Sequence, residues 1–473
     1  MGTNDTNQYI KSGIWYTVGN ILIKGISFLA LPIFTRLLSP DDFGKYNVFL
    51  SYENIFNVVI GLGLSGTIKV AFFDFNEHFN KYFSSVVSLT VFAAVVFDVF
   101  ANVLILSFNW FDNSMWNVEL VNLLIFSSLA TALYNLLSTK YVIEVKYKEN
   151  LGISLVYTVS NLLLSIFFCL TIYSAQRYLG RILGQTLPLI LLAGLLCGYY
   201  ILKYKAIVVV EYWKYALKLG LPLILHMLSM VVLLQIGKLM IDYFCGSTYT
   251  GIYSVAATLA STLSLLMGSF DNAWAPWFYR GLSGEKGINL VSGDNKVSVF
   301  FAFLMVEFML ISPEVLMIMT TSDYYDAIYS IVPLTLAVYA NFMYLFAVNQ
   351  EYYYKKTSII AIGTIIATIS GIILNYVLIP QFGYITAAYV DLVCKLILYI
   401  IHTIVVKRMK KQPVVSNRLL WILFMGTSVI GIVTLLLKDY VYVRAFIALL
   451  LCVTIYRPLM EFIKSHRMSV SKQ

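Results

Sequence analysis

Long apolar runs limit what this 473-residue chain can become more than any other feature. Fourteen of them follow one another, at approximately 13–36, 44–68, 83–107, 119–139, 152–174, 178–202, 216–241, 250–275, 297–319, 327–349, 358–379, 383–405, 418–437 and 441–461. Each is close to the ~20 residues that cross a ~30 Å hydrocarbon core at 1.5 Å per residue. In lipid every backbone N–H and C=O needs an internal partner, so only helices or closed barrels are available. Barrel strands are ~10 residues of alternating polarity, whereas these runs are continuously apolar. The expected fold class is therefore an all-α polytopic membrane protein of about 14 transmembrane helices. Composition agrees, with 12% charged residues and a mean hydropathy of +0.80, against ~25% charged in a soluble domain. The first run is too long for a removable signal, and no small-residue cleavage site follows it.

Charge placement orients the spans. With the N-terminus in the cytoplasm, 24 of the 33 Lys and Arg residues fall in inside segments, among them Lys140, Lys146, Lys148, Lys203, Lys205, Lys355 and Lys356. Six fall outside, including Arg36, Arg177, Arg181 and Arg444, and Lys24, Lys238 and Lys395 lie within spans. This bias follows the positive-inside rule and puts both termini in the cytoplasm. The net charge of +9 then reflects topology, and no nucleic-acid partner is expected.

An internal echo implies two related halves. Shifting the chain by 207 places Gly13 on Gly220, Gly44 on Gly251, Tyr46 on Tyr253 and Val48 on Val255. The predicted organisation is a six-helix bundle over 1–210, a second over 211–410, and two further transmembrane helices with a cytoplasmic tail over 411–473.

Sequence motifs exclude more than they assign. There is no GxxxxGK[ST] phosphate loop, and the Ser, His and Asp residues show no hydrolase spacing, so no enzymatic activity is expected. Cys169, Cys197, Cys245, Cys394 and Cys452 are scattered without metal-ligand spacing, so neither a metal site nor a cofactor is expected. What remains is a set of charges where lipid would reject them. A lysine at mid-bilayer costs roughly 2.5–3.5 kcal/mol on insertion scales, so it faces a cavity or a partner. Lys24 has no local partner, whereas Lys238 has Asp242 four residues on, the spacing of a local ion pair. Arg36 closes the first span. Asp98 and Glu307 are mid-span carboxylates without a nearby cation, suited either to a coupling ion or to a buried pair. Asp391 is a third candidate, although Lys395 at i+4 gives it a structural partner. Asn135, Asn161, Asn375, His226 and Gln235 are expected as interhelical hydrogen-bond groups. Pro32, Pro188, Pro222 and Pro333 kink helices, and Gly61 to Gly66 loosen the end of the second span.

The stretch ALPIFTRLLSPDDFGKYNVFLSYENIFNVVIGLGLSGTI, the GLP at Gly220 and the later NYVLIPQFGYITAAYVDLV resemble the polysaccharide transporter family. These are the Wzx-type lipid-linked oligosaccharide flippases of the multidrug/oligosaccharidyl-lipid/polysaccharide superfamily, and the resemblance runs from about Gly13 to His402. It implies two six-helix bundles around a cavity and a substrate of undecaprenyl-diphosphate-linked oligosaccharide, moved across the bacterial cytoplasmic (inner) membrane. The product would be O-antigen of lipopolysaccharide, capsule or exopolysaccharide. Cationic cavity residues would meet the diphosphate, a role that charge placement assigns to Lys24, Lys238 and Arg36. Membrane lipid is the surrounding partner, a polysaccharide polymerase and a chain-length regulator are partners implied by the resemblance alone, and a monomer is expected. Two other classes stay open: a cation or drug antiporter or peptidoglycan-precursor flippase of the same superfamily, and a membrane-embedded glycan polymerase. The antiporter would want an acidic cavity, and the polymerase a large outside loop.

Overall fold

The computed structural model describes residues 28–108, 116–284, 290–409 and 416–453, together with residues 19, 23, 25 and 26. Lys24 lies outside the described residues. All regular structure among them is helical: α1 Phe28–Leu37, α2 Pro40–Ile60, α3 Leu64–Phe75, α4 Phe79–Phe108, α5 Val118–Ile143, α6 Tyr147–Leu170, α7 Arg177–Tyr204 and α8 Val210–Cys245. These are followed by α9 Ser247–Leu282, α10 Leu290–Met319, α11 Ile328–Tyr353, α12 Thr357–Phe382, α13 Thr386–Arg408, α14 Asn417–Leu436 and α15 Val441–Val453. Eleven described stretches are long and apolar enough to cross a membrane, and α1 and α15 are shorter apolar helices. The stretch Pro40–Leu104 covers two predicted spans, and within the described residues every predicted run falls on helix. The chain is a multi-pass membrane protein.

Two compact units divide the chain, Met1–Gln235 and Ile236–Gln473. In the first, α2 starts on a strong signal: Ser39 Oγ accepts from the Asp42 amide at 3.1 Å, with Pro40 opening the helix and Asp41 and Asp42 in its first turn. The run predicted over 44–68 is broken where its glycines stand. Leu62 has φ +49° and Gly63 φ +65°, so the chain turns left-handed and restarts as α3. A Cβ on Gly63 would lie 2.6 Å from the Gly220 carbonyl oxygen, and one on Gly220 would lie 2.5 Å from that of Leu62. Only glycine permits this backbone-to-backbone contact between the break and α8.

The internal repeat is visible in backbone hydrogen bonds. At the start of α2 the Phe43 amide donates to Ser39 O, and at the start of α9 the Thr250 amide donates to Gly246 O, the same bond 207 residues later. At the end of α5, the amides of Glu144, Val145 and Lys146 donate to Lys140, Val142 and Tyr141. At the end of α11, those of Tyr354, Lys355 and Lys356 donate to Gln350, Tyr352 and Glu351. Both are Schellman caps, with left-handed Val145 (φ +58°) and Lys355 (φ +59°). Here the offset is 210, so the second copy carries three more residues between these two landmarks.

The second unit is built around α11, which is buried nearly all round and packs with α9, α10, α13 and α14. Trp274, Phe278, Phe301, Phe342 and Phe346 form its aromatic core. Gly431 seats α14 against α10 and α11, where a Cβ would lie 2.8 Å from Val332 Cγ1 and 3.2 Å from Met309 Sδ. Arg444 of α15 is 1% exposed. It donates to both oxygens of Glu314, at 2.7 and 2.5 Å, and to the carbonyls of Leu310, Leu437 and Lys438. With its donors met, this arginine is a clamp between α15 and α10.

Candidate functional site

Membrane helices that carry charge inward reveal where a protein does something other than pack. In the first unit one such feature starts at Glu53, 5% exposed on α2. Thr131 Oγ1 of α5 donates to its Oε1 at 2.7 Å, and Gln185 Nε2 of α7 donates to its Oε2 at 3.1 Å. The carbonyl end of Gln185 accepts from the Tyr46 hydroxyl at 2.5 Å. Tyr46 and Glu53 are seven residues apart on α2, so Gln185 is held at both ends by one face of that helix. One turn before Gln185 on α7 stands Arg181. Its guanidinium lies 4.0 Å from the Phe34 ring centre and 4.6 Å from that of Tyr46. Nη1 donates to Asn161 Oδ1 at 2.5 Å and to Ser165 Oγ at 2.7 Å, while Nε is buried without a hydrogen-bond partner.

The close approach of α6 and α7 depends on two glycines. A Cβ on Gly184 would come within 2.3 Å of the Ser165 backbone, and one on Gly180 within 2.8 Å of the Cys169 amide. This Gly-x-x-x-Gly face lets the helices touch and delivers Asn161 and Ser165 to Arg181. A relay of neutral groups thus joins an acid to a base across α2, α5, α6 and α7. Glu53 and Arg181 form no ion pair with each other. Glu53 is met by a hydroxyl and an amide, and Arg181 by an amide oxygen, a hydroxyl and two aromatic faces, so each has partners of its own in place of the other.

The second unit has a different acid–base pair. Glu351 Oε2 and His402 Nδ1 are 2.8 Å apart, and both residues are 0% exposed. Glu351 Oε1 and His402 Nε2 have no hydrogen-bond partner, and Nε2 presses on α12 where Gly363 leaves room, 2.4 Å from a would-be Cβ. Nearby, Asp271 Oδ1 accepts from Asn349 Nδ2 at 3.0 Å, and Asn349 Oδ1 accepts from the Tyr279 hydroxyl at 2.8 Å.

Residues singled out from the sequence are dispersed. Arg36 is exposed and donates to Pro32 O at 2.8 Å, turning back on its own helix. Lys238 is half-buried on α8 and makes no ion pair with Asp242, which accepts from Ser247 Oγ at 2.7 Å where α9 begins. Asp98 on α4 has a buried, unpaired Oδ1. Glu307 on α10 faces Cys452 of α15 and leaves Oε1 unpaired. Asp391 on α13 lies near Tyr253 and Lys395. The i,i+4 spacing to Lys395 does not close into an ion pair, although the two charges still feel each other. No hydrogen bond or ion pair joins any two of Asp98, Lys238, Glu307 and Asp391. Sequence reasoning passed over Glu53, although it stands mid-run like Asp98, and counted Arg181 and Lys140 as loop charges. Lys140 is in fact 0% exposed. Its Nζ donates to Asn80 at 2.8 Å, pairs with Glu144 one turn on, and lies 4.7 Å from the Phe79 ring.

Comparison with known proteins places this architecture. The chain is 24% identical over 377 residues to the Lsg locus putative protein 1 of Haemophilus influenzae, covering 76% of this chain and 89% of that one. Among solved structures it resembles the lipid II flippase MurJ in an inward closed conformation, with a TM-score of 0.69 and 17% identity over 94% of this chain and 100% of that one. It also resembles an inward-facing multidrug resistance MATE family transporter of the MOP superfamily, with a TM-score of 0.63 and 15% identity over 84% of this chain and 99% of that one. Those identities establish a shared fold. A match of residues 9–282 to the family described as polysaccharide biosynthesis protein covers more than half of the sequence, and the chain belongs to that family.

Proposed function

We propose that this protein is a flippase for undecaprenyl-diphosphate-linked oligosaccharide units, moving them across the cytoplasmic membrane for synthesis of a surface polysaccharide such as O-antigen or capsule. The observation that carries the reading is the conjunction of polysaccharide-family membership over residues 9–282 with the fold of a lipid II flippase over 94% of the chain. In this reading the two related bundles, 1–210 and 211–410, alternate between inward and outward access, with 411–473 as an addition and both termini cytoplasmic. The head group enters a cationic cavity while the polyprenyl tail stays in lipid, since burying its CH₂ groups is worth ~0.8 kcal/mol each. Lys24, Lys238 and Arg36 meet the diphosphate, lysine acting as a point charge for phosphate. Lys238 supports this because, among the described residues, no carboxylate forms an ion pair with it. Asp98, Glu307 and Asp391, joined by Glu53, are the acids available to a coupling ion. The test is delivery of lipid-linked oligosaccharide to the outer leaflet in cells whose only such flippase is this protein. Lys238→Ala at matched abundance is expected to lose movement and Lys238→Arg to restore part of it. Wild-type movement in Lys238→Ala removes that residue from the site, and no movement in wild type overturns the function.

A further inference from the structure

The flippase reading leaves the buried pair Glu351–His402 of the second unit without a task. Glu351 Oε2 and His402 Nδ1 stand 2.8 Å apart, and neither residue has exposed surface. α13 carries His402 against both α11, which bears Glu351, and α12. On the α12 side the ring lies against Gly363, where no larger residue leaves it room, so helix backbone seals Nε2. Nε2 and Glu351 Oε1 are both buried without a hydrogen-bond partner. A pair that served only to hold α11 to α13 gains nothing from two orphaned atoms, since each costs stability. Glu351 stands in the last turn of α11, beside the half-exposed Tyr352, and exposed Lys355 and Lys356 follow it. Water at the membrane edge is therefore one short displacement away.

The surroundings supply no charge to balance the pair. From α11, Tyr344 meets the imidazole with ring centres 5.0 Å apart, and Tyr352 lies near Glu351. Asp271 of α9 also lies near Tyr352. α10 turns Glu307 toward Cys452 and Glu314 toward Arg444. α12 presents Gly363, and on α13 itself Lys395 and Asp391 stand about 10 Å or more from His402 along the axis. Lys296, Lys355, Lys356, Lys407, Arg408 and Arg418, at the ends of α10, α11, α13 and α14, are exposed. Among the described residues no lysine or arginine forms an ion pair with Glu351.

Proton count then decides what the closed packing can hold. With a single ring proton, on Nδ1, Glu351 is ionised and the pair carries one unbalanced negative charge. One more proton, on either partner, brings the net charge to zero. An uncompensated charge in a dry interior is far costlier than a pair of zero net charge, so the closed packing favours the protonated form. Loss of that proton favours any arrangement in which water reaches Oε1 and Nε2. A ligand shifts a conformational equilibrium only when it binds the two states differently, and the complete burial of this pair supplies that difference for a proton. We propose that Glu351 and His402 form a proton-binding site, occupied while α13 is closed on α11 and α12 and giving its proton to water when that contact opens. The proposal rests on the flippase reading in one respect, that this opening belongs to the transport cycle.

Hydrogen–deuterium exchange of the full chain in micelles, read by mass spectrometry on peptides around Gly363 and His402, tests the site without any substrate. After correction for the pH dependence of chemical exchange, wild type is expected to exchange about fivefold faster or more at about pH 9 than at about pH 5. Glu351→Gln keeps the shape and removes the charge that deprotonation leaves, so it is expected to exchange slowly at both. Should that variant fail to fold, Gly363→Ala, which forces the ring off α12, is expected to exchange fast at both. Equal exchange by wild type at the two pH values overturns the proposal, as does a pH response that survives in Glu351→Gln. Faster exchange by Glu351→Gln at both values also overturns it, assigning the pair to structure alone. Delivery of lipid-linked oligosaccharide is the second arm, and Glu351→Gln at matched abundance is expected to lose most of it. Normal delivery by that variant overturns the link to transport. No delivery by wild type, with its pH response intact, overturns the flippase reading and leaves the proton site standing.

Discussion

Glu53 offers the sharpest quantitative test, because its partners are neutral and few. Truncation by Glu53→Ala leaves the Thr131 hydroxyl and the Gln185 amide without their acceptor. Each buried donor so orphaned costs about 1–3 kcal/mol, so the loss is expected near 3 kcal/mol once partial relaxation is allowed. Glu53→Gln keeps the shape and one acceptor oxygen. Thr131 can still donate to it, but the new amide confronts that of Gln185. Turning Gln185 over repairs this contact and abandons the Tyr46 hydroxyl, so one donor is lost either way and the cost is about 1–2 kcal/mol. A double-mutant cycle of Glu53→Ala with Thr131→Val isolates the 2.7 Å bond between them. Hydrogen bonds between membrane helices average about 0.6 kcal/mol, and bonds to a charged acceptor reach about 1.5–3 kcal/mol. A coupling near 1.5 kcal/mol is therefore expected for a carboxylate that stays ionised. The assay is reversible unfolding in mixed micelles, followed by the fluorescence of the protein's tryptophans. Coupling below about 0.5 kcal/mol, or equal losses for Glu53→Ala and Glu53→Gln, would refute the view of Glu53 as a charge held by this relay.

Two further predictions concern the backbone. Gly184→Leu drives a Cβ to 2.3 Å from the Ser165 backbone, so α6 must leave α7 and the loss should exceed about 3 kcal/mol; Gly194→Ala, about 15 Å along the same helix, should cost almost nothing, and similar unfolding midpoints for the two would contradict the packing described. Val145 is β-branched with φ +58°, a conformation costing about 1–2 kcal/mol for an L-residue. Val145→Gly is expected to raise stability by about 0.5–1 kcal/mol after the extra chain entropy of glycine, and a lower midpoint would contradict that strain.

Much of this architecture was legible in the sequence because lipid imposes a simple rule on length and polarity. Within the described residues every apolar run falls on helix, and the glycines from Gly61 onward mark a real break. The repeat was legible only at its start. A constant shift of 207 aligns α2 with α9, but three extra residues before α11 move the later turns to 210, and a fixed shift then compares the wrong residues. Sites were less legible, for a physical reason. Glu53 is an ordinary mid-span acid until Thr131 and Gln185, far away in sequence, are seen to point at it. Lys140 counts as a loop charge by position, and it takes Glu144, Asn80 and the rings of Phe79, Phe83 and Tyr200 to explain how it can be buried. Spacing within one helix overstated local pairing: neither Lys238 with Asp242 nor Asp391 with Lys395 forms the bridge that i,i+4 invites.

The Arg444–Glu314 clamp also bears on how the protein is made. A helix emerging from the ribosome with an arginine in its second turn partitions poorly into lipid alone, at a cost of about 2.5–3.5 kcal/mol when the charge is central. The carboxylate that meets it belongs to α10, synthesised 130 residues earlier. By the time α15 leaves the translocon, its counter-charge is already in the membrane, along with the Leu310 carbonyl that accepts from another of its N–H groups. α15 is thus a late arrival whose berth was prepared in advance, and the order of synthesis, as much as the final contacts, makes a charged span tolerable.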